Sequence, residues 1–264
     1  MITSSHLRIE PEIISKKIND FIVYTIKNSH LNSAVIAVSG GIDSAVSLVT
    51  TVKALGRKNV LALTLPERDI TPQQDLNDVI HLCEMLDVTC EQIEITPILD
   101  VMKKNITRFD PSKKVAFGNM KARTRMLLTY YYANLMNALV IGTGNKTELY
   151  LGYYTKYGDG GVDVMPFADL YKCQMRQLGR YLGIPASITE KPASARLWAG
   201  QLTENELGIP YDTLDLIVYA WSQGLSPPLI SKEVGCDEET TRQVVSRIYA
   251  NEHKRTLPLI LRLS

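Results

Sequence analysis

Apolar residues recur at Ile14, Ile18, Phe21, Ile22 and Ile26, a three-to-four spacing that predicts an amphipathic helix over residues 11–27. Residues 33–38 (SAVIAV) form a short run rich in β-branched side chains. It stops just before a glycine pair and reads as a strand buried on both faces. A helix over 44–55 follows, closed by Gly56, and then a second buried strand over 60–65, halted by Pro66. Thr71 and Pro72 suit an N-cap followed by proline at the first helical position, opening a helix to about Leu86. A weaker strand is expected over 91–95, a long helix over 120–136 and a fourth strand over 138–141. Beyond about residue 202 the pattern is helical, with segments over 211–221, 228–234 and 238–251.

Strands alternating with helices imply βαβ units, hence an α/β fold whose parallel sheet carries helices on both faces. Ligands of such sheets sit at the carboxyl ends of the strands, and the loops at Ser39, Pro66 and Gly142 all leave strands there. The late helices read as an extension of the same unit. The expectation is one domain over 1–264, with an α/β core over about 30–200 and an extension over about 202–255.

Charge changes this picture by exclusion. Lys plus Arg is 29 and Asp plus Glu is 28, a net charge of +1. That balance argues against an extended polyanion such as nucleic acid. The four cysteines (Cys83, Cys90, Cys173 and Cys236) form no C-x-x-C pair, and the four histidines are scattered, which argues against zinc. The N-terminus carries no secretory pattern, and no apolar run has the length of a membrane helix. A cytoplasmic protein with reduced thiols is expected.

Three segments carry candidate chemistry. Ser39-Gly40-Gly41-Ile42-Asp43-Ser44 lies between a buried strand and a helix. Its glycines let backbone N–H groups approach an anion, and the helix start adds positive potential. It lacks the lysine of the common nucleotide P-loop and the three-glycine dinucleotide fingerprint. Asp43 would repel a phosphate unless a cation lay between them, which points to Mg²⁺; otherwise it is only an acid at a helix start. Gly118-Asn119-Met120-Lys121-Ala122-Arg123-Thr124-Arg125-Met126 is read as opening the long helix. Three cations there suit either an anionic ligand or a solvated basic face. Gly142-Thr143-Gly144-Asn145-Lys146-Thr147-Glu148 and the stretch 151–166, rich in glycine, tyrosine and aspartate, form a third candidate.

The first segment resembles the S-G-G-x-D-S loop of the ATP pyrophosphatases, which cleave ATP between its α- and β-phosphates to adenylate a substrate. The G-N-x-x-A-R-x-R-M segment, the T-K-Y-G-D-G-G-x-D loop over 155–163 and Glu252-His253-Lys254-Arg255 narrow this, and together resemble the NAD synthetase family. The likeness spans about Ser33 to Arg255, with Gly144–Glu148 and the 193–201 segment resembling one subgroup. It implies a Rossmann-like three-layer α/β/α fold of the adenine nucleotide alpha-hydrolase-like kind. It also implies ammonia-dependent amidation of deamido-NAD to NAD, with release of AMP and pyrophosphate. The alternatives are another ATP pyrophosphatase-type amidoligase or thiolase, or a non-catalytic nucleotide-binding module.

By motif position the resemblance assigns ATP to Ser39, Gly40, Gly41, Ile42, Asp43, Ser44, Ala45, Val46, Thr143, Lys172 and Ser194. It assigns Mg²⁺ to Asp43 and Glu148, catalysis to Asp43 and Lys172, and deamido-NAD to Asn119, Arg123, Lys156, Asp163, His253 and Lys254. A homodimer sharing its dinucleotide site between subunits is implied. Only some 30 residues precede the first strand, too few for a glutamine-hydrolysing domain. Free ammonia, or ammonia from a separate glutaminase, is the expected nitrogen source.

Overall fold

The computed structural model describes residues 1–263. Four parallel strands, β1 (Ser33–Ala37), β2 (Val60–Thr64), β3 (Thr89–Gln92) and β4 (Ala138–Val140), lie in the order β3-β2-β1-β4. Val35 pairs with Leu61 on one side and Val140 on the other. All five β2 residues are buried, as a strand covered on both faces requires. Alternation sorts the side chains: Ile36 and Ala62 face one layer, Val35, Leu61 and Leu63 the other.

The first layer holds α1 (Pro11–Asn28), α2 (Ile42–Leu55), α3 (Gln73–Leu86) and α7 (Lys172–Tyr181) around Ile22, Leu48, Leu82, Phe167 and Leu178. The second holds α4 (Thr96–Asn105) and α5 (Lys114–Met136), packed through Leu99 and Ala133. The expected three-layer α/β/α arrangement is therefore present. The short helices α6 (Lys146–Leu151), α8 (Ala186–Thr189) and α9 (Thr203–Leu207) lie along the chain between the sheet and the last helices. α10 (Tyr211–Ser222), α11 (Pro227–Val234), α12 (Glu238–Ala250) and α13 (Glu252–Arg255) complete the structure. A second core of Leu151, Tyr211, Ile217, Ile230 and Ile248 joins α6 to α10, α11 and α12.

Several boundaries differ from the sequence reading, each for a local reason. The third strand is Thr89–Gln92, not 91–95. Ile93 N–H still bonds Thr64 O (2.9 Å) and Ile95 N–H bonds Pro66 O (2.9 Å), but fully buried Ile95 already caps α4, a helix the reading missed. α5 begins at Lys114, not at 120, because its exposed first turn has no apolar periodicity to announce it. Gly118 and Asn119 therefore lie inside the helix, where Gly118 admits Leu197 and Trp198 against the backbone. Lys121, Arg123 and Arg125 sit beyond the first turn, so the electrostatic argument from a cationic helix start does not apply to them. α2 starts at Ile42, two residues early, and Pro72 rather than Thr71 is the N-cap of α3. Thr71 Oγ1 instead accepts the Glu67 N–H (3.0 Å).

β1 leads to β2 on one side while β4 flanks it on the other. This reversal opens a crevice beyond the carboxyl ends of β1 and β4. Isolated pairing of Ile141 with Val164 carries the sheet one step further, and Gly142 N–H bonds Val164 O (2.8 Å).

Asp215 joins the two parts. Fully buried on α10, it accepts the Thr147 hydroxyl from α6 and the Cys173 N–H (2.7 Å) from the first turn of α7. Burial pushes its carboxyl upward, and these donors oppose that shift. Asp215→Ala is expected to cost about 2 kcal/mol in urea unfolding, because both donors lose their partner in a dry site. Asp215→Asn, which keeps one acceptor, should cost less. An unchanged midpoint for the alanine variant would show that the bridge contributes nothing.

Candidate functional site

The loop after β1 turns on Gly40, whose φ of +80° favours glycine. A Cβ there would lie 2.6 Å from the Asp75 carbonyl oxygen, so α3 leaves room for nothing larger. Ser39 N–H donates to Ser44 Oγ (3.1 Å), and Ser44 Oγ donates to Gly41 O (3.0 Å). Gly41 is the N-cap of α2 and supplies no side-chain cap, so the first N–H groups of that helix stay available to an anion. Two members of the expected ATP set point elsewhere. The side chains of Ala45 and Val46 are fully buried in the core, and Ala45 N–H is bonded to Gly41 O (3.1 Å). The helical period turns both away from the crevice.

Asp43, Glu148 and Lys172 meet although three different helices carry them. The Lys172 ammonium is ion-paired with Asp43 and lies 3.4 Å from Glu148 Oε1. It also sits 5.1 Å from the centre of the Tyr211 ring, and the Tyr211 hydroxyl donates to Glu148 (3.2 Å). Asn145 braces the pair, its Oδ1 capping α6 at the Glu148 N–H (3.0 Å) and its Nδ2 reaching Asp43 (3.4 Å). Burial opposes the charge of Lys172, but the two carboxylates prevail and hold its pKa above the ordinary value. Burial, with Asp43 alongside, pushes Glu148 up to about 7 against the pull of Lys172.

Two hard carboxylates converging on one cation fit a divalent ion such as Mg²⁺. No group of three His, Cys, Asp or Glu side chains suited to a metal occurs among the described residues. An ion here would therefore complete its shell with oxygens from ligand or water.

A cavity of about 130 Å³ lies over the loop, lined by Asp43, Ser44, Glu148, Lys172, Lys191 and Arg196 among others. A wider one of about 530 Å³ runs from the strand ends at Val38 and Leu65 to Arg125, Asp159 and Lys254. Ser39, Thr143, Ser194 and Arg196 line both, so the two spaces adjoin. Ser194 braces the segment over 191–202, donating to Gln201 O (2.6 Å) and accepting the Arg196 N–H (3.2 Å). Asn119 lines the wider space and accepts the Thr155 hydroxyl (2.8 Å). Lys254 reaches the same space while donating to Gly152 O (2.6 Å) and Tyr154 O (2.9 Å).

The structure does not bring Arg123, Lys156, Asp163 and His253 into either cavity. Arg123 is exposed and donates to Lys156 O (3.2 Å), and the Lys156 ammonium donates to His253 O. These three form an outer chain from α5 to α13. Both carboxylate oxygens of Asp163 are engaged, one by the Tyr130 hydroxyl (3.0 Å) and one by Val140 N–H (2.8 Å).

The structure also gathers groups that sequence reasoning missed. Lys191 and Arg196 meet Asp75 and Asp78 of α3 beside Gly40. Lys121 is buried against Glu67 (2.7 Å) and donates to Leu197 O (2.6 Å). Asp159 opens onto both cavities and accepts the Thr155 N–H (2.8 Å). The only local signal for the first set is the pair of cations flanking Ser194. Their acidic partners lie far away in sequence.

The family model described as NAD synthase matches residues 14–258. An NH(3)-dependent NAD(+) synthetase of Archaeoglobus fulgidus is 44% identical over 252 residues, covering 96% of this chain and 97% of that protein. A solved NMN synthetase from Francisella tularensis superposes with a TM-score of 0.85 at 33% identity, covering 97% of this chain and all of that one. An NH3-dependent NAD synthetase from Campylobacter jejuni, solved with nitrate ion, gives a TM-score of 0.79 at 33% identity, covering 96% of this chain and all of that one. A glycine loop at the sheet's reversal, two acids around one buried lysine and these likenesses agree, and the chain belongs to the NAD synthase family.

Proposed function

We infer that the chain is an ammonia-dependent NAD synthetase, a C–N ligase that converts deamido-NAD, ATP and ammonia to NAD, AMP and pyrophosphate. The observation that carries this reading is the Asp43–Lys172–Glu148 group set against the loop at the carboxyl end of β1. The loop N–H groups and the start of α2 suit a pyrophosphate, and the wider cavity suits the rest of a nucleotide. Ser39, Gly40, Gly41, Ile42, Asp43, Ser44, Thr143, Lys172 and Ser194 are assigned to ATP, and Asp43 and Glu148 to Mg²⁺. That ion would supply charge neutralisation between the phosphates. Asn119 and Lys254 are assigned to deamido-NAD.

The reaction balances without a covalent enzyme intermediate. The nicotinate carboxylate of deamido-NAD attacks the α-phosphorus, forming a P–O bond as the bond to the β-phosphate oxygen breaks. The loop N–H groups and the Lys172 ammonium stabilise charge on the departing pyrophosphate. Ammonia then attacks the acyl carbon and AMP leaves with the carboxylate oxygen. Positioning and fixed charge supply the rate.

We further assign Arg123, Lys156, Asp163 and His253 to a dinucleotide site completed by a second copy of the chain, since they lie outside both cavities. Leu127, Tyr131 and Leu135 form an exposed apolar stripe at four-residue spacing on α5, the helix that also carries Arg123. The nitrogen source is free ammonia, or ammonia from a separate glutaminase.

The test is a product assay with ATP, Mg²⁺ and ammonium against deamido-NAD, nicotinate mononucleotide and other carboxylates. Nicotinate mononucleotide is included because one solved neighbour is an NMN synthetase. AMP, pyrophosphate and NAD are expected with deamido-NAD as the preferred substrate. Release of ADP and phosphate would refute attack at the α-phosphorus, and glutamine supporting turnover as well as ammonium does would refute the nitrogen source. Asp43→Asn should lower kcat at least about a hundredfold with the fold retained by circular dichroism, as expected when a charged transition-state contact is lost. Tyr131→Asp should shift the chain from dimer to monomer in sedimentation and raise the KM for deamido-NAD. A monomeric wild type would remove the shared-site assignment.

A further inference from the structure

The ammonium of Lys191 has three N–H donors, and all three are used. They go to Gly40 O (2.8 Å), Asp75 Oδ1 (2.8 Å) and Asp78 Oδ2 (2.6 Å). Asp75 and Asp78 project from the first two turns of α3 and are both buried. Each is held by other donors: Arg196 Nε to Asp75 (2.8 Å), and Gln74 (3.0 Å) and Ser187 (3.1 Å) to Asp78. The Lys191 side chain is only 13% exposed. The lysine is therefore fixed from one side by α3 and grips the loop carbonyl from the other.

In a trans peptide the C=O and the following N–H lie in one plane and point in opposite directions. No cis peptide occurs among the described residues, so holding Gly40 O towards α3 turns Gly41 N–H the other way. That N–H donates a long hydrogen bond to Ser39 Oγ (3.4 Å), which a phosphate oxygen could share or replace, and both Gly41 and Ser39 line the narrow cavity. Lys191 has no spare donor for a phosphate, so its effect must pass through this peptide plane.

We propose that Lys191 is a positioning residue for the ligation reaction. By holding the Gly40 carbonyl, it orients the Gly41 N–H as a donor to the β- and γ-phosphates of ATP and to the departing pyrophosphate. Asp75 and Asp78 hold the lysine in turn, and Arg196 ties the segment bearing Ser194 to the same acid. The proposal rests on the reading of the loop as a pyrophosphate site.

The experiment measures inhibition by inorganic pyrophosphate and by AMP, together with the KM for ATP and for deamido-NAD, in wild type and three variants. The wild type comes first: failure of pyrophosphate to bind it would overturn the reading of the loop itself. In Lys191→Met, the Ki for pyrophosphate and the KM for ATP should each rise about tenfold or more, as for loss of an ordered hydrogen bond to an anion. The Ki for AMP and the KM for deamido-NAD should stay within about twofold, because those ligands do not depend on the Gly41 donor. Asp78→Asn/Lys191→Met restores the charge balance beside α3, and it should fold while showing the same selective defect. Asp78→Asn alone, which loosens the lysine, should weaken pyrophosphate. Tighter binding in that variant would show Lys191 to be a direct phosphate ligand and overturn the proposal. Equal weakening of pyrophosphate and AMP in the charge-balanced variant, or no change in either, would overturn it as well.

Discussion

The buried ammonium of Lys172, held between Asp43 and Glu148, is the constraint around which the other parts are arranged. Moving any one of these charges from water into a protein interior costs several kcal/mol, and only its partners offset that cost. The three residues come from α2, α6 and α7, so the helices must dock together for any of the charges to be tolerated. Asn145, Tyr211 and Asp215 are the means of docking. Asn145 ties the start of α6 to Asp43, Tyr211 supports Glu148 from α10, and Asp215 binds α6 and α7 to that same helix. The late helices are thus part of the site's foundation, although of α10 to α13 only Arg247 of α12 and Lys254 of α13 reach the wider cavity.

The sequence was most legible where one local pattern sufficed. The β-branched runs located β1, β2 and β4, and the glycine pair after β1 located the loop, because strand burial and tight turns leave signatures within a few residues. The residues around that loop were legible only through resemblance. Lys172 opens α7, a helix the sequence reading did not place although Met175, Leu178 and Leu182 carry its apolar face, and nothing local pairs it with Asp43. The cluster of Asp75, Asp78, Lys191 and Arg196 escaped notice because the chain folds a distant segment onto α3. Lys121 shows the opposite failure. Its sequence setting suggested a cation facing solvent or a ligand, but it is neutralised by Glu67 in the interior.

The same contrast separates the expected substrate residues. Thr143, Lys172, Ser194, Asn119 and Lys254 all line a cavity: Asn119 on the face of α5 towards the crevice, and the others at a strand end, a helix start or a segment folded back over it. Arg123 and His253 share the family's spacing but stand on outward faces. Motif position alone cannot distinguish an inward from an outward side of one helix turn.

Asp163 has a structural consequence of its own. β4 is an edge strand, and such edges offer unpaired N–H and C=O groups to any passing strand. Here the Asp163 carboxylate accepts the Val140 N–H, and the Asp163 and Val164 N–H groups donate to Val140 O (3.1 and 3.2 Å). The opposite edge, β3, is four residues long, with Thr89, Glu91 and Gln92 exposed. Both margins of the sheet are therefore closed to edge-to-edge growth, one by a carboxylate acting as a surrogate strand and the other by brevity and polarity. Association of this chain then has less to gain from its sheet edges than from the exposed apolar stripe on α5, which keeps ordered association separate from β-type aggregation.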